Sequence, residues 1–136
     1  MAVTSEGDPV TKEGGRGALT PQGWHTVTPR IVTSRAQELM QFLKDVFDAT
    51  GDYRSDVPAI LLIGDSRIMI SDRGARSSTS AFLYVYVPDA DATYRRALRA
   101  GARSLEEPTD LPYGDRRAMV EDSWGNTWQI ATYLGS

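Results

Sequence analysis

The chain has 136 residues, a net charge of −3 and no cysteine. The length fits one domain or two small modules that share a core. Without cysteine there are no disulfides, thiolate metal sites or cysteine nucleophiles. The acidic charge without a basic stripe argues against nucleic acid as a partner. No apolar run approaches the ~20 residues that span a bilayer, and no secretory pattern is visible. We therefore expect a cytoplasmic protein that does not bind membranes.

Residues 1–20 lack hydrophobic periodicity and are rich in glycine, threonine and charge. This composition predicts a disordered tail. The alternative is a strand that adds to the edge of a neighbour. Residues 21–136 are expected to form a single folded domain.

A first strand–helix–strands unit is predicted between residues 24 and 72. Residues 25–32 have strand character, and a helix is expected over residues 35–49 because its apolar residues recur at helical spacing. Ser34 is the expected N-cap, with Gln37 as its capping-box partner. Two strands then flank a Gly64-Asp65 turn; they cover residues 59–63 and 67–71.

The same order repeats between residues 80 and 134, after a polar linker at residues 72–79. A strand at residues 81–87 precedes a helix for which Asp89 is the expected N-cap. A short strand at residues 103–105 and a long loop at residues 106–115 should follow.

The chain ends in a predicted hairpin. Strands at residues 117–121 and 127–132 flank Asp122-Ser123-Trp124-Gly125-Asn126, which is rich in residues that tolerate turn geometry. Two repeats of one strand–helix–strands order predict an α+β fold, with helices covering one face of the sheets and the other face free to form a cleft.

Three segments carry a family resemblance: residues 21–29, residues 63–72 and residues 114–132, which include the hairpin turn. They resemble the vicinal oxygen chelate superfamily, which contains glyoxalases, bleomycin-resistance proteins and extradiol dioxygenases. The resemblance implies paired βαβββ modules that form a cupped mixed sheet, with the helices on the outer face. It also implies a homodimer whose clefts are shared across the interface.

Metal-dependent members of this superfamily place histidine, glutamate or glutamine ligands at four positions. The resemblance maps these positions onto Thr28 (or Thr26), Ile70 (or Ser71), Phe82 and Gln129. Only Gln129 has a side chain of a suitable type. We therefore predict no metal and no other cofactor.

His25 is the one histidine of the chain. Side chains alternate along a strand, so His25 should point away from the cup or lie at its rim, since Thr26 and Thr28 share the other parity. We expect a structural role for it rather than metal ligation.

The cup is predicted to be aromatic. On the strand at residues 81–87, alternation places Phe82, Tyr84 and Tyr86 on the cup face, and the intervening leucine and valines on the helix side. Aromatic rings on an open face favour a ligand or a partner subunit that covers them. Trp124, at the turn tip, should stack on a ligand or contact a partner, whereas Trp128 should be core. The predicted ligand-lining residues are Ile60, Met69, Phe82, Tyr84, Tyr86, Tyr113, Arg116, Trp124 and Gln129.

Together with the resemblance, these residues favour a non-catalytic member of the superfamily's antibiotic-resistance branch, which implies resistance by sequestering an aromatic natural-product antibiotic. We find no carboxylate pair or histidine in the predicted cup to act as a general base. One alternative is a metal-dependent glyoxalase-like lyase or isomerase, or a dioxygenase. Another is a structural or regulatory dimer whose aromatic face is the interface.

Overall fold

The computed structural model describes residues 19–73 and 78–135. The predicted tail therefore lies almost entirely outside the described residues. The described chain contains two helices and seven strands, which confirms the α+β class. In order they are β1 (Arg30–Thr33), α1 (Ala36–Phe47), β2 (Ala59–Ile63), β3 (Ser66–Asp72), β4 (Phe82–Tyr86), α2 (Ala90–Arg99), β5 (Arg103–Asp110), β6 (Asp115–Glu121) and β7 (Thr127–Tyr133).

The strands form two mixed sheets, one for each repeat. Sheet A has the order β1-β3-β2, and sheet B has the order β4-β7-β6-β5. In each sheet the first strand is at an outer edge and runs parallel to the last strand, whereas the remaining pairs are antiparallel. The two repeats predicted from the sequence thus have the same topology, and sheet B has one additional strand.

One hydrophobic core joins the helices to one face of both sheets. Trp128 of β7 is fully buried there, and its ring lies 5.4 Å from that of Phe47 at the end of α1. This contact connects the first repeat to the second. The prediction that Trp128 belongs to the core is confirmed.

The closing hairpin is held by a buried carboxylate. Asp122 accepts hydrogen bonds from the backbone N–H groups of Trp124 and Asn126, from the Asn126 amide at 2.9 Å and from the Trp128 indole at 2.8 Å. The Asn126 side-chain oxygen in turn accepts from the N–H of Ala81 at 2.8 Å. The hairpin turn therefore also fixes the chain just before β4.

The two helices begin differently, and the prediction for the first was wrong. Asp89 caps α2 by accepting a hydrogen bond from the N–H of Ala92 at 3.1 Å, as expected. Ser34 does not cap α1: the N-cap position is Arg35, in a left-handed conformation, with no side-chain cap. Asp72 at the end of β3 lies near this terminus instead, 3.4 Å from the N–H of Ala36.

Two predicted boundaries were also wrong. The first strand begins at Arg30 rather than His25, because its pairing with β3 starts at the Arg30–Met69 pair. The strand predicted at residues 103–105 continues to Asp110. This extension shows no alternation of burial, since its pairing with β6 contains two register shifts. A strand that bulges and lies exposed carries no period-2 signal.

Candidate functional site

The side of sheet B that faces away from the helices, which we call the open face, has a defined set of side chains. Strand register places Tyr84 beside Gln129 and Gln129 beside Met119. The same register aligns the neighbouring pairs on either side. The open face therefore carries Phe82, Tyr84, Tyr86, Asp115, Arg117, Met119, Glu121, Thr127, Gln129, Ala131 and Tyr133.

Three aromatic side chains of β4 stand on this face with much of their surface in solvent. Phe82 is 67% exposed, Tyr84 36% and Tyr86 60%. The Tyr84 and Tyr86 rings are 5.4 Å apart and tilted by 55°. The predicted alternation of β4 is confirmed, because the residues between them pack against the core. Exposed rings in a row are a surface suited to stacking.

A buried carboxylate lies at the hydroxyl ends of two of these rings. Asp115, at the start of β6, is 2% exposed. Its Oδ2 atom accepts the phenol hydrogens of both Tyr84, at 2.6 Å, and Tyr86, at 2.9 Å. A buried carboxylate needs such donors, since an unpaired one is costly to bury. The two tyrosines are therefore fixed in place by their hydroxyl ends.

These contacts keep both phenols protonated. Burial raises the pKa of Tyr84 far above the ordinary value, and hydrogen bonds to Asp115 and Tyr113 raise it further. The hydrogen bond to Asp115 is the largest cause of the raised pKa of Tyr86. Neither phenol is thus equipped to act as a base at neutral pH.

Tyr113 and Arg117 extend the hydrogen-bonded group formed by Asp115 and the two tyrosines. The Tyr113 hydroxyl lies 3.2 Å from that of Tyr84. Arg117 approaches the Tyr113 oxygen at 3.5 Å and donates to Glu106 of β5 at 2.6 Å. Burial lowers the pKa of the Arg117 guanidinium and the hydrogen bond to Glu106 raises it, with a net rise.

Three separate places hold the other predicted ligand-lining residues, which are Ile60 with Met69, Arg116 and Trp124. Ile60 and Met69 are register partners on the side of sheet A opposite the core. They do not lie on the open face of sheet B. Arg116 points to the opposite side of β6, where it pairs with Asp91 of α2 at 2.7 Å and with Asp110 at 2.9 Å.

Trp124 does not stand at an exposed tip. It is half-buried against the core, its ring centroid lies 5.9 Å from that of Phe42 in a T-shaped contact, and the Arg35 guanidinium covers it at 5.3 Å. The ring does not stand free at the turn tip for a ligand or a partner, because the turn folds back onto α1. Neither Trp124 nor Arg116 belongs to the open face.

A cavity of about 530 Å³ runs along the outer edge of β4. Its walls include Tyr84 and Tyr86 from β4, Arg67 from β3 and the exposed His25 before β1. Its floor reaches Trp128 in the core. His25 therefore lies outside any strand and at the rim of this cavity.

The four positions that correspond to metal ligands do not supply a set of metal-binding side chains. Ile70 is buried in the core between Ile31 and Ala59, so the alternative position, Ser71, is the one on the other side of sheet A. Phe82 offers no donor atom. Among residues 19–73 and 78–135, no three histidine or acidic side chains are grouped to hold a metal ion. These residues do not fit a bound metal.

The matching family model is that of the glyoxalase/bleomycin resistance protein/dioxygenase superfamily, and it covers residues 24–130. The chain therefore belongs to this superfamily. An uncharacterized protein of Mycobacterium bovis is 30% identical over 122 residues, covering 76% of this chain and 80% of its own length. An uncharacterized protein of Mycobacterium tuberculosis has the same identity and covers 72% of its own length.

Solved structures share the fold. TioX from Micromonospora sp. ML1 matches with a TM-score of 0.64 and 23% identity, over 79% of this chain and 99% of its own. A glyoxalase/bleomycin resistance protein/dioxygenase family enzyme from Burkholderia phytofirmans matches at 0.68 and 22%, over 77% and 95%. The fosfomycin resistance protein FosX from Mesorhizobium loti matches at 0.61 and 21%, over 82% and 92%. At these identities the likeness concerns the fold.

Sequence reasoning missed two functional candidates, Asp115 and Arg117. Residue 115 was assigned to a loop, so its alternation with the rest of β6 was not considered. The predicted strand at residues 117–121 already contained Arg117, and a strand start at Asp115 together with the register of the hairpin would have placed both residues on the face of Gln129. The contact between Asp115 and the two β4 tyrosines depends on strand order, which the parity does not give.

Proposed function

We propose that this protein binds an aromatic natural product on the open face of sheet B and confers resistance by sequestering it. The observation that carries the proposal is the row of three exposed rings on β4. Covering a large aromatic side chain contributes roughly 1.5–3 kcal/mol. A planar ligand stacked on Phe82 and Tyr86 supplies that cover.

The proposed role is binding rather than catalysis. The phenols of Tyr84 and Tyr86 are committed to Asp115 and stay protonated, so they hold a ligand in place but do not remove its protons. No donor set among the described residues supports the metal-dependent alternative. One family neighbour is named a fosfomycin resistance protein, which is consistent with a resistance role.

We also propose that the functional unit is a homodimer with shared clefts. Members of this superfamily commonly bind small molecules and form dimers. The apolar pair Ile60 and Met69 lies on sheet A, apart from the β4 rings of the same chain. A second copy that places its sheet A against the open face of sheet B would complete the cleft. β1 and β4, both at outer edges, are the strands along which the sheets can meet.

Calorimetric titration of the purified protein with bleomycin A2, doxorubicin and mitomycin C tests the binding role. We expect saturable binding of at least one compound, weakened about tenfold or more in Phe82→Ala and Tyr86→Ala, since each removes one stacking ring. Leu98→Ala is the matched control, because Leu98 is 37% exposed on α2 and far from the open face. Binding that is absent, or equal in all four proteins, would contradict the proposal.

Cross-linking tests the shared cleft in a chain that has no cysteine of its own. We expect a short bismaleimide to join subunits of the double variant Met69→Cys/Phe82→Cys into a covalent dimer. Leu98→Cys/Phe82→Cys is the control pair and should remain uncross-linked. If light scattering shows a dimer but only the control pair is joined, the arrangement is wrong. If Phe82→Ala disrupts the dimer and no compound binds, the open face is an interface alone.

A further inference from the structure

In each hydrogen bond between the polar side chains of the open face, the donor and the acceptor can be assigned. An ionised carboxylate only accepts, so the hydroxyl hydrogens of Tyr84 and Tyr86 must both point at Asp115. Tyr84 has then no hydrogen left for Tyr113, so Tyr113 is the donor in the 3.2 Å contact between them. Arg117 in turn donates toward Tyr113. The chain of donors runs from Arg117 to Asp115.

This assignment determines which hydrogen-bonding atoms remain available to a ligand. The Tyr86 oxygen donates its hydrogen to Asp115 and keeps only lone pairs for a further partner, and the residue is 60% exposed. Both phenols bond the Oδ2 atom of Asp115, and no hydrogen bond from the described residues reaches Oδ1. The polar atoms that the Tyr84, Tyr86 and Asp115 group leaves free are therefore acceptors.

The ion pairs of the open face also bear on which ligand charge it favours. Arg117 is neutralised by Glu106, to which it donates at 2.6 Å. Glu121, at the far end of β6, pairs with Arg103. The carboxylate of Asp115 is the one charge of this group without an ionic partner among the described residues, so the group has a net negative charge next to Tyr84 and Tyr86.

We propose that the ligand of the open face carries a protonated amine next to its aromatic ring, and that Asp115 with the rings of Tyr84 and Tyr86 selects this cation. The inference rests on the proposed binding function and names its ligand class. A cation gains from both partners, because it contacts the faces of the tyrosine rings and is attracted at short range by the charge of the buried carboxylate that holds their hydroxyl groups.

An anionic ligand is the competing chemistry, since Arg117 is also present. Its Nε atom is buried and has no hydrogen-bond partner. Its remaining nitrogens are directed to Glu106 and Tyr113. A carboxylate ligand would have to displace Glu106 and approach Asp115, whose like charge opposes it. The geometry therefore favours the cation.

Equilibrium dialysis with three matched probes tests this inference: 2-naphthylmethylamine, 2-naphthylmethanol and 2-naphthoate. They share one ring system and differ in charge. We expect the amine to bind the wild-type protein at least about tenfold more tightly than the alcohol, and the naphthoate most weakly. In Asp115→Asn, which keeps an acceptor oxygen for the phenols, we expect the preference for the amine over the alcohol to fall to about twofold or less.

Glu107→Gln is the matched control, because Glu107 is an exposed carboxylate of β5 whose side chain is not part of the group. It removes the same charge and should leave the preference unchanged. Thermal unfolding of Asp115→Asn establishes that it folds, and Tyr86→Leu provides a second variant that should weaken all three probes. Equal binding of amine and alcohol by the wild type, a preference that survives Asp115→Asn, or tightest binding of naphthoate would overturn the inference while leaving aromatic binding intact. Failure of all three probes to bind would overturn the proposed function with it.

Discussion

The two repeats have one topology and place their apolar residues differently. In the first repeat, seven of the 12 residues of α1 are buried. In the second, only three of the 10 residues of α2 are buried, and two of those are alanines. Helix α1 is thus the larger contributor to the core, whereas α2 covers sheet B mainly with small side chains. One topology therefore serves different roles in the two halves.

The sides of the two sheets that face away from the core also differ, and here the second repeat carries the larger exposed side chains. The outer side of sheet A carries aliphatic side chains such as Ile60 and Met69, which are half-buried. The open face of sheet B carries three exposed rings above a buried carboxylate. The second repeat therefore bears the polar and aromatic chemistry, and the first supplies much of its apolar support.

The largest expected effect concerns the contact between the two repeats. Trp128→Ala removes a fully buried indole that touches Phe47 and donates to Asp122. We expect the free energy of unfolding in urea to fall by ~3–5 kcal/mol. Phe82→Ala, on the other side of the same sheet, should change it by less than about 0.5 kcal/mol, because its ring is 67% exposed. A large loss in Phe82→Ala would show that the open face also holds the fold together.

A smaller effect separates the two helices. Leu43 of α1 is fully buried, whereas Leu98 of α2 is 37% exposed. We expect Leu43→Ala to lower the free energy of unfolding by ~2–5 kcal/mol and Leu98→Ala by less than about 1 kcal/mol. Urea denaturation of both variants gives the comparison directly. Equal losses would mean that α2 is as important to the core as α1.

The helices and the hairpin were predictable because their signals are local. Leu39, Leu43 and Val46 repeat at helical spacing, and Asp122 to Asn126 have turn chemistry in consecutive positions. The faces of β4 were predictable from parity alone. Each of these features depends on neighbours in the sequence.

The site was only partly predictable because it depends on distant neighbours. The sequence grouped Ile60 and Met69 with the β4 rings; within one chain they lie on different sheets, so this grouping stays a prediction that depends on a second copy. It left Asp115 in a loop, although this residue holds Tyr84 and Tyr86 through contacts about 30 positions apart in the chain. It placed Trp124 at the turn tip against a ligand or a partner, since nothing local indicates that the turn packs on α1. Strand order and turn direction are set by tertiary packing.

The smallest expected effect tests the helix starts, where the two repeats differ most in local detail. Asp89→Ala removes the side chain that accepts from Ala92, and we expect a loss of ~1 kcal/mol in urea denaturation. Ser34→Ala should cost less than about 0.5 kcal/mol, because the first turn of α1 has no side-chain cap from the residues before it. Asp89→Asn, which keeps a capping oxygen, is the control and should stay near the wild type. A loss in Ser34→Ala as large as in Asp89→Ala would mean that Ser34 caps α1 in solution after all, and that the two helices start alike.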